Sequence, residues 1–167
     1  MTQIVAHGEK TMCDIDSLIS KGYDLCFGEI NGDRIQGRKF LENAASLGRD
    51  DALLYLGKSY ELEGNYSDAE NAYLRGFERR YRAAIFRLAM LHGRKLLQNN
   101  DRDFFLRTIK ALSRDGHFPS IAIYTNERIR GSYGLIARIG GVLSVVPNAI
   151  RFIWTFARNP KNHLFEQ

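Results

Sequence analysis

Apolar and small residues recur at spacings of three and four along most of this chain, in blocks broken by glycine, proline or short polar runs. The pattern predicts helices over residues 34–47, 50–63, 66–79, 82–97, 102–115 and 119–130. No strand ladder is visible, so the expected fold is all-α. Ahead of these blocks, Leu18, Ile19, Tyr23 and Cys26 fall at helical spacing in SLISKGYDLCFG, with Asp14 or Asp16 placed to cap that helix. The stretch EINGDR reads as a loop around the turn dipeptide Asn31-Gly32, and residues 1–13 as a poorly ordered lead.

Two of the blocks are alike. Aligning Ala52 with Ala84 also aligns Leu41 with Tyr73, Ala44 with Gly76, Leu56 with Leu88 and Gly57 with Ala89, a period of 32 residues. That is the length of a helix–turn–helix repeat. A looser third unit puts Gly116 where Gly48 stands and Ser120 where Ala52 stands, 36 residues after Ala84. Ala52, Gly57, Ala69 and Ala72 remove bulk where paired helices approach to about 8–10 Å, while Leu56, Tyr60 and Tyr73 supply the knobs. Gly64 is placed to end a helix in the left-handed conformation. Ser67 with Glu70 reads as a capping box for the next helix, with Asn65 as a rival cap, and Pro119 suits a first helical turn.

At Ala44, Ala45, Gly48 and Ala52, then Leu56, Gly57, Tyr60 and Gly64, the chain resembles the Sel-one-like repeat family, a branch of the tetratricopeptide-type solenoids. These residues match that family's Ala-Ala-x-x-Gly-x-x-x-Ala and Leu-Gly-x-x-Tyr-x-x-x-Gly patterns. The match is good over 41–64, fair over 69–93 and weak elsewhere. Arg80 stands at an expected glycine and His92 at an expected tyrosine, which points to a longer or differently capped loop. The resemblance implies a short α-solenoid, its clearest repeats at 34–64 and 66–97 within a repeat domain 14–131. It further implies a non-enzymatic adaptor that assembles protein complexes, as bacterial relatives do in signalling or envelope-polysaccharide machinery. In such solenoids the first helix of each pair lines the binding side, which makes Tyr55, Lys58, Arg87 and Arg94 the candidates to contact a protein partner.

Charge bears on what that partner is. Residues 1–127 carry 18 basic and 18 acidic side chains, whereas residues 128–167 carry six basic and one acidic, a net +5. Within the repeats, Arg75, Arg79, Arg80, Arg82, Arg87, Arg94 and Lys95 have only Glu78 among them and follow the acidic run Glu61, Glu63, Asp68 and Glu70. The two runs either complement each other between adjacent repeats or form a basic surface for an acidic partner.

Residues 132–167 form an apolar, basic C-terminal segment. Arg138, Gly141, Ser144, Asn148, Arg151, Thr155 and Arg158 make one narrow polar stripe at helical spacing. Leu135, Ile136, Ile139, Val142, Leu143, Val146, Ile150, Phe152, Ile153, Trp154 and Phe156 fill a wide apolar arc, interrupted by Pro147. Three placements are open: a cap on the repeats or a contact with another subunit, which would make a homo-oligomer; an amphipathic helix on an anionic membrane surface, engaging Arg138, Arg151, Trp154 and Arg158; or a full span. The span is disfavoured, because the gain from apolar side chains, about 0.3 to 0.6 kcal/mol each, is offset by two arginines at about 3 kcal/mol each.

Catalytic signals are weak. His7, His92, His117 and His163 are scattered, so no metal site is expected. Asp14-Ile-Asp16 and Asp101-Arg-Asp103 read as acids opening helices, and Gly140-Gly141 lacks the strand that a phosphate loop requires. No cofactor and no catalytic residue is predicted. Cys13 and Cys26 read as free thiols, and the N-terminus lacks the apolar run of a signal peptide, so a cytoplasmic location is expected, with the C-terminal helix peripheral to the inner face of the cytoplasmic membrane. A nucleic-acid-binding helical protein and an accessory subunit of an enzyme complex are the alternatives. Tyr124, Tyr133 and neighbouring arginines lack a recognised nucleic-acid module, and nucleic acid is not expected as a partner.

Overall fold

The computed structural model describes residues 2–28 and 33–134, with backbone alone over 2–13, and five single positions beyond them: Ile139, Gly141, Val145, Pro147 and Ile150. Seven α-helices run through the described residues: α1 (Thr2–Phe27), α2 (Arg34–Ser46), α3 (Asp50–Leu62), α4 (Tyr66–Glu78), α5 (Arg82–Gly93), α6 (Arg102–Arg114) and α7 (Phe118–Ile129). No strand occurs among these residues. The fold is all-α, as the periodicity predicts. Two compact units are present, Met1–Leu88 and Ala89–Gln167, and their boundary falls inside α5. Within each unit consecutive helices pack on their neighbours, the arrangement of a short helical repeat.

Helix α1 begins at Thr2 and therefore takes in the stretch read from sequence as a lead. No proline interrupts residues 2–13, and extending a helix costs far less than nucleating one. Asp14 and Asp16 consequently lie inside α1 and cap nothing; the Asp16 carboxylate accepts from the Arg49 guanidinium instead. The EINGDR loop falls largely outside the described residues, but Asp33 at its end caps α2 by accepting from the Gln36 amide at 3.0 Å. For α4 the cap is Asn65, whose Oδ1 accepts from the Asp68 amide at 3.3 Å. The Ser67–Glu70 box does not form this cap, because the helix already starts at Tyr66.

The ends of α2 to α7 follow one rule. At Gly64 (φ 72°) the amide donates to the Glu61 carbonyl and the next amide, of Asn65, to the Tyr60 carbonyl, both at 3.0 Å. This paired closure recurs at Gly48, Arg80, Lys95, Gly116 and Gly131, all with positive φ. Arg80, at the expected glycine, thus keeps the same cap with φ 59°. The longer loop comes one helix later, where α5 ends at Gly93 rather than residue 97 and residues 94–101 connect it to α6.

Glycine at the crossings sets the closeness of the pairs. A methyl group added at Gly57 on α3 would overlap the ring of Tyr73 on α4, which is fully buried. Gly22 on α1 meets Leu41 on α2 in the same way, with Leu41 at the position aligned with Tyr73. The glycines are 35 residues apart rather than 32 because residues 28–33 link α1 to α2 whereas 63–65 link α3 to α4. Gly76 on α4 receives the Ala84 methyl of α5. The aligned residues Ala52, Ala84 and Ser120 are all fully buried, and Ser120 tolerates this because its hydroxyl lies 2.7 Å from His117 Nδ1.

Tyr73 also makes a polar contact at this crossing. Its hydroxyl donates to Glu61 Oε1 at 2.5 Å, and Arg87 lies 4.0 Å from the other carboxylate oxygen. Burial, followed by the adjacent Glu61 carboxylate, pushes the phenol well above its ordinary value of 10.0, against a smaller opposing pull from Arg87.

Three outcomes follow from these contacts. Gly57→Leu must displace a buried ring, so it should lower stability in a thermal melt by about 1 to 3 kcal/mol. Arg80→Gly relieves a left-handed non-glycine residue and should raise stability by about 0.5 to 1 kcal/mol, less than the full strain because glycine also loosens the unfolded chain. The folded chain holds the Tyr73 proton where the unfolded chain releases it, so stability present below pH 10.0 is lost as pH rises above that value. Melts at increasing pH should show this fall, and Tyr73→Phe, which cannot ionise, should show a shallower one.

Candidate functional site

The sequence candidates Tyr55 and Lys58 lie on α3, and the fold brings Tyr55 to α1. Tyr23 and Phe27, one turn apart on α1, approach each other to 4.9 Å between ring centroids. The Tyr55 ring stands edge-on to Tyr23 at 5.1 Å and to Phe27 at 6.3 Å. Lys58 Nζ lies 5.5 Å from the Tyr55 centroid. Tyr23 is 40% exposed, and Phe27, Tyr55 and Lys58 are half-buried. Tyr81, half-buried in the α4–α5 turn, is pushed up to about 12 first by burial and then by the charges of Asp51, Tyr55 and Asp50. An aromatic cluster with a cation at its edge therefore spans the first helices of two successive pairs.

Periodicity alone places Tyr23 among the apolar positions of α1; the structure leaves it open to solvent. Its partner Tyr55 comes from 32 residues away, and only the Tyr23-x-x-x-Phe27 spacing within α1 was visible beforehand.

The remaining candidates are not part of this cluster. Arg87 turns to Glu61, beside Tyr73, and Arg94 is exposed at the end of α5 in the second unit. Part of the basic run complements neighbouring helices. Arg75 pairs with Glu42 at 2.8 Å, and Arg79 both pairs with Asp50 at 3.2 Å and donates to the Ala45 carbonyl at 3.1 Å. Arg38 bonds Glu63 at 2.9 Å while stacking 4.7 Å from the Tyr60 centroid. Each such exposed pair contributes little to stability on its own.

In the second unit the Tyr124 and Tyr133 rings meet at 5.1 Å, Arg128 flanks Tyr124 at 5.5 Å, and the Tyr133 hydroxyl donates to the Leu106 carbonyl at 2.6 Å. Beneath them Glu127, only 4% exposed, accepts from Arg102 and, at 2.7 Å, from the Ser132 hydroxyl, with Arg130 at 3.5 Å. Sequence reasoning missed this carboxylate. It fastens the turn after α7, a structural task for a buried acid whose charge is fully matched.

His92, His117 and Cys26 are accounted for by local structure. His92 Nδ1 accepts from the Asp101 amide at 3.1 Å, and its ring meets Phe104 edge-on at 5.0 Å. Cys26 is a buried free thiol, pushed up chiefly by burial. Cys13 and His7 have no described side chain, and His163 lies outside the described residues. Among the described residues no group of three His, Cys, Asp or Glu could hold a metal ion.

Of the C-terminal segment, Arg138, Arg151, Trp154 and Arg158 lie outside the described residues. Backbone at Ile139, Gly141, Val145, Pro147 and Ile150 is helical. Gly141 is buried, with a methyl group at that position meeting Arg128 Cβ at 2.8 Å and the Ile129 amide nitrogen at 3.0 Å. Ile139, Val145 and Ile150 are exposed. No helix among the described residues is long and apolar enough to cross a membrane.

Compared with protein-family models, curated proteins and solved structures, the chain matches none.

Proposed function

We propose that this chain is a non-enzymatic adaptor of the Sel-one-like, tetratricopeptide type, binding a segment of a partner protein on the side formed by α1 and α3. The observation that carries this reading is the partly exposed cluster of Tyr23, Phe27 and Tyr55 with Lys58 at its rim. Aromatic side chains offer large contact area at small entropic cost and dominate binding energy at interfaces. The positive charge of Lys58 favours an acidic segment. Under this reading the protein works in the cytoplasm as a scaffold, of the kind that the family resemblance implies for bacterial signalling or envelope-polysaccharide machinery.

The test is positional. A photo-reactive residue at Tyr23 should crosslink one defined polypeptide, whereas the same residue at Leu74 on α4, equally exposed at 40%, should not. Tyr55→Ala with Lys58→Glu should reduce that crosslink at least about tenfold, the loss of one hot-spot contact, with the helical circular-dichroism signal retained. Crosslinking from Leu74 instead, or a yield unaffected by the double substitution, refutes the assignment of the face.

A further inference from the structure

Tyr133, in the turn after α7, touches both helices of the α6–α7 pair. Its hydroxyl donates to the Leu106 carbonyl at 2.6 Å, its ring meets Tyr124 edge-on at 5.1 Å, and Lys110 Nζ lies 6.0 Å from its centroid. Arg128 flanks Tyr124 at 5.5 Å. Both rings are half-buried and keep part of their surface in solvent. Beside them the buried Glu127 carboxylate is shared by Arg102 and Arg130, whose side chains are 47% and 66% exposed. One carboxylate against two guanidiniums leaves a positive charge in excess, and it holds both cations in place without using all of their donors. Arg107, Lys110 and Arg114 are spaced three and four apart, so the cationic surface continues along one face of α6. Residues 89–134 carry eight basic and four acidic side chains. Of the acids, Glu127 is matched, Asp101 caps α6 by accepting from the Phe104 amide at 2.8 Å, and Asp103 and Asp115 lie at the two ends of that helix.

We infer that this face of α6, α7 and the turn after α7 binds single-stranded nucleic acid. Charge alone suits any anion; the two tyrosines narrow the choice. A nucleic-acid strand carries phosphates and flat bases in alternation, so it engages the cations and the rings together. An acidic peptide meets the cations and leaves both rings without a counterpart. The bases must be unpaired, because in a duplex their faces are stacked on one another and closed to side chains. No recognised nucleic-acid module is visible in the sequence, and the face exists only because the fold joins Tyr124, Tyr133 and Lys110 from separate elements. This inference is independent of the α1–α3 face.

The test is fluorescence anisotropy of a labelled oligouridylate of about twelve nucleotides, titrated with the full-length chain at low salt. Arg107→Glu with Lys110→Glu should weaken binding at least about tenfold. Lys21→Glu with Lys39→Glu, the same change in net charge at exposed positions of α1 and α2, should leave it within about twofold. Tyr124→Ala should weaken binding at least about fivefold, the loss of one stacked base. Should the α6 pair or Tyr124→Ala fail to fold, the parent decides: it should bind the oligouridylate at least about tenfold more tightly than a duplex of equal length or polyglutamate. Four results overturn the inference. They are no binding of the oligouridylate by the parent, equal loss in the Lys21 and Lys39 variant, an unchanged affinity in folded Tyr124→Ala, or duplex or polyglutamate bound as tightly as the single strand.

Discussion

The close approach of helices at positions without side chains governs how the first unit is built. Where Gly57 lies beneath the Tyr73 ring, the two helices of a pair come near enough for one aromatic knob to fill the whole crossing, and its hydroxyl reaches Glu61 without leaving the core. Leu41 over Gly22 repeats the device one pair earlier. Leu41, Tyr73, Ala52 and Ala84 are all fully buried as a result, together with Leu53. Close approach adds dispersion contacts to apolar burial.

The left-handed caps supply the complementary constraint. Each turns the chain back on itself within a few residues and satisfies two of the carbonyls that a helix end would otherwise leave open. Tight turns force antiparallel neighbours, and antiparallel neighbours bring the small residues face to face. That the chain tolerates Arg80 and Lys95 in this conformation shows that the hydrogen-bonded closure outweighs the strain on a non-glycine residue. Between the helices so placed, Arg75 and Arg79 of the basic run find carboxylates on neighbouring helices, as Arg38 does on α2, so part of a run that looks strongly basic in one dimension is matched in three.

Chemistry-bearing residues divide along the same line. His92, His117 and Cys26 are absorbed by caps and core contacts. What remains at the surface is aromatic and apolar: the Tyr23, Phe27 and Tyr55 group in the first unit, and Ile139, Val145 and Ile150 in the second. Such surfaces are suited to holding other molecules, and the proposed function assigns the first of them to a protein segment.

Helix identity, the boundaries of α2 to α4, α6 and α7, and the buried register of Ala52, Ala84 and Ser120 were legible in the sequence, because each depends on short-range periodicity and on local capping chemistry. The start of α1 was not, since no local breaker or cap marks it, nor was the choice of Asn65 over Ser67, which turns on two residues of helix register. Tertiary structure alone decided that Tyr23 meets Tyr55, that Glu127 is buried with its charge matched, and that Gly141 faces α7. Those contacts join residues on different helices, and their geometry is set by how closely the glycines let the helices approach. Periodicity within one helix names a face; only the neighbouring helix determines whether that face is covered.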